Sequence, residues 1–213
     1  MKINLNKKII TGLFVLSAFL VIQFYSIVET VFAVADSAEV TLTVDSGISI
    51  SNGADEVMEP NLSITQHKSV GTSTWTVITN DPDGYQLVVT ADTVPAMKSA
   101  TSEFADYTEA TAGTPETWAV SNAVEFGYSA FGSQTPAAWG TGAASCGNTT
   151  TGVVDASLKF SGVATANDPI ATSSDPTPIA GVLTTICFAA EQETVFAEAG
   201  AYHANITGTA TVL

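Results

Sequence analysis

Downstream of residue 39 the chain alternates between apolar and polar positions. Val40, Leu42 and Val44 are separated by Thr41 and Thr43, a period of two that predicts a half-buried β-strand and not a helix. Ile48 and Ile50 repeat the pattern ahead of the turn residues Ser51, Asn52 and Gly53, and a further short strand is expected around Leu62 and Ile64. The strongest local signal comes next. Trp75, Val77 and Thr79 alternate with Thr74, Thr76 and Ile78, and Tyr85, Leu87 and Val89 form a return strand. Between them, at 80–84, Pro82 presets φ and Gly84 accepts a positive φ, so the segment reads as a β-hairpin.

From 91 to 117 the alternation fades into Ala, Thr, Ser and Glu with three anchors, Met97, Phe104 and Tyr107. This predicts a long loop or an insertion carrying a helical turn. Strands resume at 118–120 and 124–128. A second long loop, 131–151, is rich in Gly, Ser and Thr and holds Trp139 and Cys146. Strands follow at 153–160 and 182–189, with a Pro-rich stretch, 168–178, between them. The last segment sets Tyr202, Ala204, Ile206, Ala210 and Val212 on one face and His203, Asn205, Thr207, Thr209 and Thr211 on the other. About ten strands, Gly/Pro-rich turns and no long amphipathic helix predict an all-β fold. The expected architecture is one antiparallel β-sandwich over 36–213 with long loops. Val40, Leu42, Trp75, Val77, Leu87, Val89, Ile186, Phe188 and Ile206 are expected to face inward.

The N-terminus has a different character. Lys2, Lys7 and Lys8 precede an apolar run at 9–28, and Ala33-Val34-Ala35 closes it. That layout predicts a secretory signal peptide over 1–35 and an extracellular, secreted or cell-surface location for the remainder. Two alternatives stay open. The run is long enough to span a bilayer as an anchor, and cleavage near Gly12 would retain it as a filament helix, although pilin-like leaders place glutamate where this chain has Ser17.

Charge narrows the partners. Six lysines and no arginine face 21 acidic residues, a net of −15. Removing 1–35 leaves Lys68, Lys98 and Lys159 against 20 acids, a net of −17. Nucleic-acid binding needs clustered cations to displace phosphate counterions, so it is excluded, and attraction to an anionic membrane surface fails for the same reason. Only 13% of residues are charged, which leaves the polar surface to Thr, Ser and Asn. Two cysteines in an exported chain, Cys146 and Cys187, read as one disulfide.

Catalytic chemistry is hard to assemble from this chain. Neither a G-x-S-x-G elbow nor an H-E-x-x-H helix is present, and the two histidines, His67 and His203, lie in a loop and on a polar strand face. The expectation is a protein that is not an enzyme and needs no cofactor. Calcium is the one metal candidate, held by clustered oxygens at Asp55, Glu56 and Glu59, or at Asp81 and Asp83, though neither set matches an EF-hand. Loop aromatics offer a sugar-stacking platform, with Trp139 foremost and Phe131 and Tyr107 next.

Three stretches carry a resemblance: Ser73-Thr74-Trp75-Thr76-Val77 running into its turn, Trp118-Ala119-Val120, and Gly200-Ala201-Tyr202-His203-Ala204-Asn205-Ile206-Thr207. They resemble bacterial secreted cell-surface β-sandwich proteins, including the WxL-type wall-binding domains, whose motif carries leucine where this chain has Val77 and Val120. The resemblance implies non-covalent association with a wall surface. The expected function is that of a secreted, non-catalytic structural or adhesion protein whose partner is a cell-wall or glycan surface. A neutral glycan would stack on Trp139, whereas a polyanion would need a cation bridge. The alternative is a pilus or matrix-fibre subunit that binds copies of itself by donating 36–44 as a strand.

Overall fold

The computed structural model describes residues 39–51, 53, 55–120, 124–163 and 169–213. The predicted leader, 1–35, lies outside them, as do Asn52 of the predicted turn and residue 168 of the Pro-rich stretch. The chain divides into two units, Met1–Thr43 and Val44–Leu213. Of the first, residues 39–43 are described, and they form no strand. The second holds ten strands among its described residues: β1 (Ile48–Ser51), β2 (Lys68–Thr79), β3 (Tyr85–Ala91), β4 (Ala105–Asp106), β5 (Val124–Gly132), β6 (Gly147–Asn148), β7 (Val153–Val154), β8 (Ala171–Ser173), β9 (Val182–Gln192) and β10 (Ile206–Val212). One 3₁₀ turn, Ala137–Trp139, precedes β6.

The strands form a five-stranded sheet ordered β1-β2-β9-β5-β4, a three-stranded sheet ordered β10-β3-β8, and the small ladder β6-β7. Pairing is antiparallel except between β4 and β5, which run parallel. Trp75 and Val77 of β2, Phe126, Tyr128 and Ala130 of β5, and Ile186 and Phe188 of β9 share one buried core with Tyr85, Leu87 and Val89 of β3. The two larger sheets thus bury their facing sides against each other. Successive side chains point to opposite faces of a strand. Cys187 and Ala189 therefore turn the other way, into a second core with Tyr107, Cys146, Leu158 and Phe160.

Several expected elements change. The predicted hairpin is a corner between sheets: β2 pairs with β1 and β9, and β3 pairs with β10 and β8. The two strands face each other across the core. The turn itself forms as read, with Gly84 N–H donating to Asp81 C=O at 3.1 Å and Gly84 at φ 80°. A Cβ on Gly84 would lie 2.0 Å from Ser173 O, so β8 sits hard against the corner. Asp81 accepts from the Ser46 hydroxyl at 2.7 Å and the Asp83 N–H at 3.0 Å, and these bonds hold its carboxyl below the usual range. Asn80 ties the chain entering β1 to this corner, accepting from Gly47 N–H and donating to Asp45 C=O.

Val40 and Leu42 do not face inward. They are 91% and 87% exposed, and Val44 is exposed too, because no strand ladder among the described residues includes 39–47. Segments around Leu62 and Ile64 and at 118–120 are irregular, and 153–160 is a strand only at Val153–Val154. The predicted loop 91–117 has no helical turn. It is held by β4 and by the buried rings of Phe104 and Tyr107. The final strand begins at Ile206, while Tyr202 and Ala204 pack against the core ahead of it.

The expected disulfide forms between Cys146 and Cys187, 41 residues apart, with Sγ–Sγ 2.01 Å and Cα–Cα 5.2 Å. It pins the glycine-rich segment onto the outward face of β9. Closing a loop of this size restricts the unfolded chain by about 4 kcal/mol on the chain-entropy estimate. Replacing both cysteines with alanine is expected to lower the unfolding free energy by about that amount, read from urea titration. A second expectation concerns Gly208, which lies over the Trp75 ring. A Cβ there would fall 1.3 Å from Trp75 Cζ3. Gly208→Ala is expected to cost about 3 kcal/mol by overpacking and to alter the near-UV circular dichroism, whereas Thr209→Ala on the exposed face leaves the urea midpoint unchanged.

Candidate functional site

Along β2, the positions on the inward face read Ser69, Gly71, Ser73, Trp75 and Val77. The first three are too small to fill a core, and the opposing strands do not reach over them. β3 and β10 have seven residues each and β8 three, against twelve in β2 and eleven in β9. What lies over this end of the large sheet is irregular chain, and a groove of about 1090 Å³ remains between its segments. Trp75, Phe126, Phe188 and Ala190 form the floor, Met58, Asn61 and Leu62 line one wall, and Phe196, Tyr202 and Ile206 line the other.

The walls are fixed by specific bonds. Buried Gln192, at the end of β9, donates its amide to Ser63 C=O at 2.7 Å and accepts from Ala197 N–H at 3.0 Å. One side chain thus holds both walls at their spacing. Phe104 meets Tyr202 edge-on with centroids 5.0 Å apart, and the Tyr202 hydroxyl donates to Glu198 C=O at 2.9 Å. Lys98 and His203 exchange backbone hydrogen bonds of 3.0 and 2.8 Å, joining the 97–104 segment to the second wall. Trp75 donates its indole N–H to Ser73 Oγ at 3.0 Å, which turns its polar edge toward the small-residue end of β2. Phe196 is 54% exposed at the rim and meets the His67 ring edge-on at 5.7 Å.

The predicted stacking residues do not meet here. Trp139 is 1% exposed: the 3₁₀ turn drives it into the core against Tyr128, centroids 4.9 Å apart, and its indole N–H donates to Pro169 C=O at 2.9 Å. It plugs the fold and presents no face to a sugar. Tyr107 is also buried, on the opposite side of the large sheet, stacked on Trp118 at 4.8 Å. Its hydroxyl donates to Glu116 Oε1 and Thr117 C=O, both at 3.1 Å. Burial first, then the Glu116 carboxylate, pushes this phenol well above its ordinary range. Phe131 is half-buried and packs in the same outer layer.

The predicted metal residues separate as well. Asp55 and Glu56 line the groove, while Glu59 pairs its backbone with Val70, at 2.8 Å in both directions. The segment runs beside β2, which spreads the three exposed carboxylates along it. Among the described residues no three of His, Cys, Asp and Glu come together as a metal-holding group. Phe196 and Met58 were not singled out by sequence, and Phe104 and Tyr202 were read as a loop anchor and a strand position and not as parts of a groove. The available signal was the failure of apolar alternation at Ser69, Gly71 and Ser73.

One titration bears on the groove's end wall. Asp106 accepts from Ala96 N–H at 2.8 Å, next to Met97, which lines the groove. Burial raises its carboxyl above the ordinary value, partly offset by the Ala96 bond and by Lys98. A carboxyl raised in the fold favours the folded state most when it is protonated, and that contribution fades as pH rises through its folded value. Asp106→Asn keeps the acceptor and removes the charge. It is expected to raise the melting temperature at pH 7 and to leave it unchanged near pH 3, read by thermal scans at both values.

Among the described residues no helix is long and apolar enough to cross a membrane. No family model matches the chain, nor does any curated protein or solved structure.

Proposed function

We propose that this protein is an exported, non-catalytic β-sandwich of the cell surface or extracellular space, with a structural or adhesive role. In this reading the groove holds an uncharged extended ligand, a neutral glycan chain of a wall or matrix. The observation that carries it is the groove itself: an open channel with an apolar floor, Phe196 and Tyr202 on one wall, and the amide groups of Asn61 and Asn205 along it. Ligand sites are typically concave and mostly apolar, with a few polar groups that fix orientation. Aromatic faces suit the C–H faces of sugar rings, and the amides suit their hydroxyls.

Charge supports the same class. Asp55, Glu56 and Glu198 sit along the groove in a chain of net −15, so a polyanion is repelled. The disulfide between Cys146 and Cys187 fits an oxidising, exported setting. The resemblance to wall-binding domains rests partly on Trp75, which lies in the groove floor, and partly on Trp118, which packs on the far side of the sheet. Only Trp75 would therefore touch a ligand held there.

The test is co-sedimentation with neutral wall polysaccharide at two salt concentrations, with and without a chelator. Binding by the unaltered protein is expected to vary little with salt or chelator. Phe196→Ala is expected to weaken it roughly tenfold, equivalent to about 1.4 kcal/mol, with no change in melting temperature because the ring is largely exposed. Unchanged binding by Phe196→Ala would remove the groove from consideration. Loss of binding only on chelation would instead point to a cation held at Asp55 and Glu56.

A further inference from the structure

Strand β10 closes one side of the three-stranded sheet with an unusually bare edge. It pairs with β3 along all seven residues, and no described strand pairs with its other side. Natural edge strands are commonly blunted by charge, proline or a bulge. β10 reads Ile-Thr-Gly-Thr-Ala-Thr-Val, with neither charge nor proline. Thr207, Thr209 and Thr211 are exposed on its outward face, while Ile206 and Ala210 pack toward the core. Beside it, β1 ends the five-stranded sheet and touches β10. Along this seam Ile48 and Ile50 stay 37% and 38% exposed and Val212 45%. Two sheet edges therefore meet with apolar side chains half covered.

The chain also carries a segment of matching chemistry. Residues 40–44, Val-Thr-Leu-Thr-Val, alternate as a strand does, carry no charge, and are exposed without a strand partner. Added beside β10, such a strand places Thr41 and Thr43 in line with the exposed threonines. Val40, Leu42 and Val44 then turn toward the seam, near Ile48, Ile50 and Ala210. Charge does not oppose this pairing. Both windows are uncharged, so two copies of a chain of net −15 meet there without a local like-charge cost.

We propose that residues 40–44 of one copy add as a strand to the free edge of β10 of the next copy, head to tail. Main-chain hydrogen bonds to an open edge supply affinity in such additions, and alternate side chains supply specificity. Donor and acceptor are different surfaces, so the contact is heterologous and propagates into a chain or closes into a ring. The proposal is independent of what the groove holds, and the groove reading survives its failure.

Complementation tests it, using protein expressed from the complete sequence and followed by size exclusion with light scattering. Leu42→Asp spoils the donor and leaves the acceptor. Thr209→Glu spoils the acceptor and leaves the donor, and Thr207→Glu serves if the first acceptor variant melts early. The unaltered protein is expected to form species that grow with concentration. Each variant alone is expected to associate at least tenfold more weakly, at an unchanged melting temperature. An equimolar mixture of a donor variant and an acceptor variant is expected to stop at a one-to-one dimer, because only one productive junction remains. Three results would overturn the proposal: an unaltered protein that stays monomeric at every concentration, a Leu42→Asp variant that assembles as before while Thr209→Glu does not, and a mixture that remains monomeric. The second of these would indicate β10 pairing with β10.

Discussion

Strand β9 is the member on which the rest of the structure rests, because its second half is buried on both faces. It lies between β2 and β5 and pairs with ten residues of the first and nine of the second. From Ile186 to Gln192 every position is buried. Ile186, Phe188 and Ala190 serve the core between the sheets, and Cys187 and Ala189 serve the outer layer. The disulfide attaches that layer to β9 directly. At the far end Glu191 accepts from Lys68 Nζ and from the Trp118 indole N–H, each at 2.7 Å. Lys68 and Glu191 are direct cross-strand partners. A one-residue slip would move Lys68 to the core face, so this partly buried pair opposes misregister whatever its net contribution to stability.

That two-sided burial also explains how much of the fold was legible. β3 and β10 have one buried face each, so their alternation shows in sequence, and the disulfide followed from the pair of cysteines in a chain read as exported. The hairpin reading failed for a definite reason. Alternation identifies which face of β2 and of β3 is apolar, but two apolar faces can be satisfied side by side or face to face. The choice was made by β9 and β10, more than a hundred residues away for β2 and β3 alike. Phe104, Tyr107 and Trp118 lie in irregular chain and Trp139 in a 3₁₀ turn, where no alternation reveals burial. Trp139 looked exposed among small residues, yet those small residues are what allow its turn to fold inward.

The acidic composition acts by placement. The few cations are spent near the fold: Lys68 meets Glu191, and Lys98 bonds the Val94 carbonyl at 3.1 Å and lies 4.0 Å from Glu103. Carboxylates such as Asp81 and Asp155 are absorbed by turns, where Ser46 and Ser157 hydroxyls hold them below the usual range. The surfaces free of charge include the threonine face of β10, the 40–44 segment and the apolar floor of the groove. In a chain of this sign, a neutral surface is where another molecule can approach at least electrostatic cost.

Both candidate surfaces have one geometric origin, the mismatch between a five-stranded and a three-stranded sheet. Lengthwise, β2 and β9 outrun β3, β8 and β10, and the chain covers the excess with the segments around Met58 and Phe196. Coverage by irregular chain is looser than coverage by a strand, so a groove persists over Ser69 and Ser73. Sideways, β1 and β10 meet at their edges without a strand to close the seam, and Ile48, Ile50 and Val212 stay partly wet. A fold that only had to be stable would fill both gaps, since each exposes apolar area worth roughly 25 cal/mol per Å² if buried. The small residues on β2 and the bare edge of β10 instead keep them open. Openness at these two places is therefore written into particular side chains, and the fold's stability is carried elsewhere, on β9 and its two cores.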